Sequence, residues 1–268
     1  MLSPVRAALR FAFVWLGIPF YFVIMVFVFV IHRPWARRFG MMFYRWVYKV
    51  VGIHVCVEGA PSMRTTVFVA NHISYMDILV LGSLIKAGFI AKKEVKRWPI
   101  IGSAARMMGT LFISRHRNTL MKELKELTKR LTRGEKFILF PEGTCGDGVK
   151  IFPFKSTFFH ILMPKGCDMW VQPVSLKLTK LNGLPMADCF KKRYSWRGDQ
   201  TLVANLWGLC RMGCVHITVS FGPALKSSDF SSRQDMAHLL WHHVAGLDKP
   251  QDTLASAKKE ASAHQQAS

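Results

Sequence analysis

The chain has 268 residues, room for one large α/β domain or two small ones, and half of its residues are hydrophobic. Lys and Arg number 37 against 16 Asp and Glu, a net charge of +21 that draws phosphate, on nucleic acid or on an anionic bilayer. Six cysteines with no CxxC pair and no paired zinc spacing exclude a zinc framework and suit free thiols in a reducing compartment. Cys210 and Cys214 sit four apart, a spacing that shares a helix face.

At the N-terminus, Phe11 to Ile31 carries no charged residue. A helix of that length spans ~32 Å, about the hydrocarbon thickness of a bilayer. Arg6 and Arg10 precede the run, and Arg33, Arg37, Arg38 and Arg45 follow it. This excess predicts a membrane-attached protein with its globular part on the cytoplasmic face, in a bacterium on the inner membrane. Gly17 and Pro19 interrupt the run, so a straight span and a helical hairpin both remain open. A cleaved signal peptide fits less well, since the run is long and no small-residue cleavage site follows it. Residues 1–50 are thus expected to anchor the chain, 51–247 to form the catalytic domain and 248–268, rich in Ala, Ser, Gln and Lys, to be disordered.

Pro34 to Val51 mixes aromatics with Arg, a pattern that suits an interfacial helix and an amphipathic core helix equally. Strand-like runs follow at Ile53–Val57, Thr65–Ala70, Lys136–Phe140, Met169–Val174 and Val215–Phe221. Between them lies a helical pattern over Asn118–Thr132, with Leu120, Leu124, Leu127 and Leu131 in three-four spacing. Strands alternating with helices predict a single layered α/β domain with a mostly parallel sheet flanked by helices.

Four short segments carry the chemistry. In VFVANHISYMD, a β-branched run ends at Asn71 and His72, and Asp77 follows five residues later. On one continuous helix these two side chains would point ~140° apart. With His72 at the strand end and a helix starting near Ser74, the carboxylate can turn back and hold the imidazole in one tautomer. A lone histidine at a strand end is commonly structural, and the partner carboxylate is what lifts this one. In GTLFISR, Arg115 ends an apolar strand and can fork two hydrogen bonds onto a phosphate; a solvated basic loop is the plain alternative. In FPEGT, Glu142 stands where an open α/β sheet forms its ligand crevice, and Gly143 lets backbone approach closely. Asp147 and Lys155 lie near the same mouth. In VQPVS, Pro173 argues for a sheet edge or a bulge. There is no GxSxG elbow, no phosphate-binding P-loop and no HExxH helix. His238 and His242 have helical metal spacing with no third ligand evident in the sequence.

In order and spacing the four segments resemble the blocks of the 1-acylglycerol-3-phosphate acyltransferase family: NHISYMD (71–77), GTLFISR (109–115), FPEGTC (140–145) and VQPV (171–174). The resemblance covers roughly residues 50–225 and departs at Cys145, where that family usually has Arg. The continuation CGDGVKIFPFK resembles a subgroup that also contains lyso-ornithine-lipid acyltransferases. The resemblance implies that His72 is the general base and Asp77 its orienting partner. It also implies acceptor contacts from Arg115, Glu142, Gly143, Thr144 and Lys155, with Asn71 and Ser74 bracing the loop. The implied reaction moves a fatty acyl chain from acyl-CoA or acyl-carrier protein to a lysophospholipid hydroxyl, most simply 1-acylglycerol-3-phosphate, with no cofactor or metal. A lyso-aminolipid such as lyso-ornithine lipid is the alternative acceptor. A non-enzymatic basic lipid-binding protein would not need the His72–Asp77 spacing, and no nucleic-acid reader motif is present.

Overall fold

The structure, a computed structural model, describes residues 2–114, 117–163, 169–198 and 200–247. Helices α1 (Pro4–Ile31) and α2 (Arg33–Val51) open the chain, followed by strands β1 (Ile53–Glu58) and β2 (Val67–Ala70). Next come α3 (Met76–Leu84), β3 (Gly88–Lys92), α4 (Ile101–Met107), β4 (Leu111–Ile113), α5 (Arg117–Thr132) and β5 (Phe137–Leu139). The long β6 (Trp170–Leu181) leads to β7 (Leu184–Pro185), α6 (Asp188–Tyr194), α7 (Leu202–Met212), β8 (Val215–Phe221), β9 (Leu225–Lys226) and α8 (Arg233–Leu247).

The strands form one sheet in the order β1-β8-β6-β2-β5-β3-β4, with β7 and β9 paired to β6. Along this path only β6 and β8 run antiparallel. Parallel pairing brings the C-terminal ends of β2, β5 and β4 to one edge, because each connection crosses over before the next strand begins. Successive residues of β2 face opposite layers. Phe68 and Ala70 join a core shared with Val47 and Val51 of α2, Val80 and Leu81 of α3, and Leu206 and Leu209 of α7. Val67 and Val69 join a second core with Leu127 and Leu131 of α5 and Leu240 and Val244 of α8.

α1 and α2 fold back on each other at His32 as a helical hairpin, and α1 runs unbroken through Pro19. Gly17 belongs to the hairpin contact, since a Cβ there would lie 2.1 Å from the Trp46 ring. The Tyr21 ring sits within 5.2 Å of the Phe39, Phe43 and Trp46 rings. Arg10 donates to the carbonyls of Val51 (2.9 Å) and Gly213 (2.7 Å), at the C-terminal ends of α2 and α7. On its other face α1 leaves Leu9, Leu16, Phe20, Val23, Phe27 and Val30 exposed at three-four spacing. α1 is the one helix among the described residues that is long and apolar enough to cross a membrane. α2 is a core helix on one side, with Val47, Tyr48 and Val51 buried, while Trp35 and Met42 face outward.

Two local expectations change, and one strand appears that no pattern marks. Pro173 lies in an interior strand, opposite Val69 of β2, and the bulge of β6 falls at Leu178 to Lys180. The proline is accommodated where the other neighbour of β6 changes from β9, paired as far as Val171, to β8, paired from Val174. Its carbonyl still accepts from Gly222 N at 2.9 Å. Cys214 does not share a helix with Cys210, because α7 ends at Met212 and Gly213, at φ 98°, turns the chain into β8. Strand β3 lacks a period-two pattern, and its Gly88 is required because a Cβ would lie 2.3 Å from the Gly109 carbonyl oxygen.

Candidate active site

β2 ends at Ala70 and α3 begins at Met76, so His72 sits on the connecting turn and Asp77 is the second residue of the helix. The helix starts two residues later than the sequence suggests, yet the pair closes: His72 Nδ1 lies 2.9 Å from Asp77 Oδ2. The same oxygen accepts from the backbone N–H groups of Ile73 (2.6 Å) and Ser74 (2.9 Å). These two bonds fix the carboxylate in the first turn of α3, where the helix dipole favours negative charge. Asp77 is buried to 1% exposure, whereas the His72 side chain keeps 16%. With Nδ1–H donated to the carboxylate, Nε2 is the ring atom left to exchange a proton.

Glu142 is turned inward. Its Oε1 accepts from the His72 backbone N–H at 2.7 Å and its Oε2 from Phe152 N–H at 2.9 Å. The His72 carbonyl in turn accepts from Gly146 N–H at 2.7 Å, so the FPEGT loop clamps the histidine backbone from both sides. Both Glu142 oxygens thereby accept from backbone N–H groups, so this residue braces the histidine turn at the edge of the cleft. Burial pushes its carboxyl up to about 7, against the two backbone hydrogen bonds that favour the charged form. Burial pulls the His72 imidazole down, but the hydrogen bonds and charges of Asp77 and Cys145 outweigh it and raise the ring to about 10. The Phe140 ring stacks on the imidazole at 4.2 Å.

Asn71 bridges β2 to β6, donating to the Leu176 carbonyl (3.0 Å) and accepting from Leu176 N–H (2.7 Å). Ser74 is fully buried beside it. Gly143 has φ 71°, and a Cβ there would lie 3.2 Å from both Lys155 Nζ and the Phe158 ring. Thr144 and Lys155 are exposed on the rim. Asp147 accepts from the N–H groups of Val149 and Lys150, both at 2.9 Å, which shapes the loop beyond the clamp. An open cleft beside His72 is lined by Asn71, Glu142, Gly146, Leu176, Lys177 and Lys191. His72, Asp77, Ser74 and Glu142 therefore form one bonded unit, which Asn71 ties to β6, with Gly143, Thr144 and Lys155 nearby in the chain. Arg115 lies outside the described residues, as do Cys167 and 248–268.

Cys145 and Phe140 were not singled out from the sequence as partners of His72. Their only signal there was adjacency to Glu142, and nothing local shows that β5 ends beside β2.

Known proteins match the chain in sequence and in fold. A family model described as Acyltransferase matches residues 54–177. A lyso-ornithine lipid O-acyltransferase of Brucella abortus is 32% identical over 80% of this chain and 82% of its own length. The chain belongs to the acyltransferase family. A 1-acyl-sn-glycerol-3-phosphate acyltransferase of Neisseria gonorrhoeae is 30% identical over 69% of this chain and 71% of its own length. The fold of this acyltransferase matches the crystal structure of a 1-acyl-sn-glycerophosphate acyltransferase from Thermotoga maritima. The TM-score is 0.61 at 23% identity, over 87% of this chain and 94% of the other.

Proposed function

We propose that this acyltransferase moves a fatty acyl chain from a thioester donor, acyl-CoA or acyl-carrier protein, to the free hydroxyl of a lysolipid. The acceptor we assign is 1-acylglycerol-3-phosphate, giving phosphatidic acid. The observation that carries the reading is the His72–Asp77 pair, whose carboxylate holds Nδ1 at 2.9 Å and aims Nε2 as the base. Nε2 takes the proton as the acceptor oxygen attacks the thioester carbonyl. A tetrahedral oxyanion forms, the C–S bond breaks, and the imidazolium returns its proton to the departing thiolate. Asp77 stabilises the imidazolium formed between these steps, and Glu142 with Gly146 keeps the histidine backbone from shifting. Arg115 supplies the phosphate contact. The chemistry needs no cofactor. α1 and the net charge of +21 support a membrane location, with the catalytic domain on the cytoplasmic face of a bacterial inner membrane.

A second acceptor has its own support: relatives from Brucella abortus, Rhizobium meliloti and Rhodobacter capsulatus are lyso-ornithine lipid O-acyltransferases at 32–34% identity. Cys145 also removes the cation that phosphate-reading blocks usually carry. Purified enzyme assayed with each acceptor at saturating acyl donor separates the two. Turnover of lysophosphatidic acid upholds the first reading, and turnover of lyso-ornithine lipid alone replaces it with the second. No transfer to either, with the donor thioester intact, would remove both.

A further inference from the structure

The segment joining β3 to α4, residues 92–101, is exposed along nearly its whole length. It holds Lys92, Lys93, Lys96 and Arg97 against one acid, Glu94, and ends in the exposed apolar side chains of Trp98, Ile100 and Ile101. Its conformation is built, not slack. Trp98 N–H donates to the Val95 carbonyl and Gly102 N–H to the Trp98 carbonyl, while a Cβ on Gly102 would lie 2.4 Å from the Lys96 carbonyl oxygen.

At the tip, Ile100 has φ 60° and ψ −61°, and Ile101 N–H closes a γ-turn onto the Pro99 carbonyl at 2.5 Å. A β-branched residue is disfavoured in that conformation. The chain therefore holds an isoleucine in an unfavourable backbone state at a position 36% exposed. Strain at an exposed position points to a ligand surface.

The segment leads into α4, which packs against α1, the helix with the exposed apolar row, and it reaches the catalytic turn through Trp196. The Trp98 ring meets Trp196 edge-on at 6.3 Å, and Trp196 meets Tyr75 at 5.5 Å. Trp196 N–H donates to the Ile73 carbonyl at 3.2 Å, one residue from His72.

We propose that residues 92–101 form a second bilayer-facing element. Trp98, Ile100 and Ile101 seat between the headgroups and acyl chains of an anionic leaflet, and the four cations face its phosphates. The kinetic part of the test rests on the acyl-transfer reading; the spectroscopic part does not. Full-length protein is reconstituted in phosphatidylglycerol–phosphatidylethanolamine vesicles carrying brominated acyl chains. Trp98→Phe should lose part of the quenchable fluorescence, because the other tryptophans remain while this one is removed. Ile100→Gly relieves the backbone, as glycine without a Cβ adopts this γ-turn conformation, so the melting temperature should hold or rise. The same variant should turn over a vesicle-presented acceptor on the order of tenfold more slowly, and a short-chain, monodisperse acceptor unchanged. Equal loss on both acceptors, or quenching identical in Trp98→Phe, overturns the proposal. Loss confined to a carrier-protein donor also overturns it and makes the segment a protein-docking surface. Wild type inactive on both acceptors would count against acyl transfer while leaving the quenching result to decide the segment.

Discussion

His72 is held at three points: its ring by Asp77, its N–H by Glu142 and its carbonyl by Gly146. His72→Ala should abolish transfer, and Asp77→Asn should cost on the order of a hundredfold or more, with both proteins still folded. The pH profile adds a sign. Because Asp77 raises the imidazole above its ordinary value, kcat/KM should climb with pH along the limb where the ring loses its proton, and that limb should lie on the alkaline side of a free histidine's. In Asp77→Asn the imidazolium loses its counter-charge, so the limb should move to lower pH as the plateau falls. A profile whose limb stays in place would show that Asp77 does not set the base. Glu142→Gln tests the clamp. The amide keeps one acceptor and turns a donor toward a backbone N–H, so activity should fall on the order of tenfold. The raised pKa of Glu142 contributes stability that is present below 4.5 and lost as pH rises toward about 7. That slope, read as melting temperature against pH, should flatten in Glu142→Gln.

At the scale of elements, the hairpin and the sheet edge matter most. Arg10 reaches from α1 to carbonyls at the ends of α2 and α7, groups that no intrahelical donor can satisfy. Arg10→Ala leaves both without that donor and should destabilise the folded chain by ~1–3 kcal/mol, seen as a lower melting temperature in detergent. Gly17→Val would drive a side chain into the Trp46 ring and should separate α1 from α2. Protease access to the turn at His32 should then increase without loss of the His72–Asp77 geometry; unchanged cleavage would mean that the hairpin repacks. The sheet edge explains why blocks distant in sequence act together: β2 and β5 are parallel neighbours with Val69 opposite Leu139, so His72 and Glu142 leave adjacent strand ends.

For the whole molecule, the proposed membrane location would use the apolar face of α1 and the basic surplus by different physics. Hydrophobic contact with acyl chains is insensitive to screening, whereas attraction between surface charges weakens steeply at ~1 M salt. The chain should therefore remain in the membrane fraction after a high-salt wash, assayed by sedimentation. Quantitative release would show that the surplus cations are the attachment and that the exposed row on α1 is covered in another way.

The sequence by itself determined the chemistry that is local. β-branched residues end at Asn71, a short turn carries His72, and a helix brings Asp77 back within five residues; this geometry needs no distant partner. The alternation of strands and helices, and the uncharged run before them, are likewise written in periodicity and composition. Tertiary structure alone decided the rest. It made Glu142 a brace because its partner, the His72 N–H, lies seventy residues away and meets it only when β2 and β5 pair. It put Pro173 in the sheet interior because two strands that share the side of β6 leave a gap at that residue. It kept α1 unbroken through Gly17 and Pro19 and paired it with α2 in a hairpin that turns at His32, through contacts among Gly17, Trp46 and Arg10 that local spacing does not encode. Each of these depends on which backbone groups meet across the sheet or between helices, and a hydrogen bond or a close approach acquires its partner only when distant segments pack.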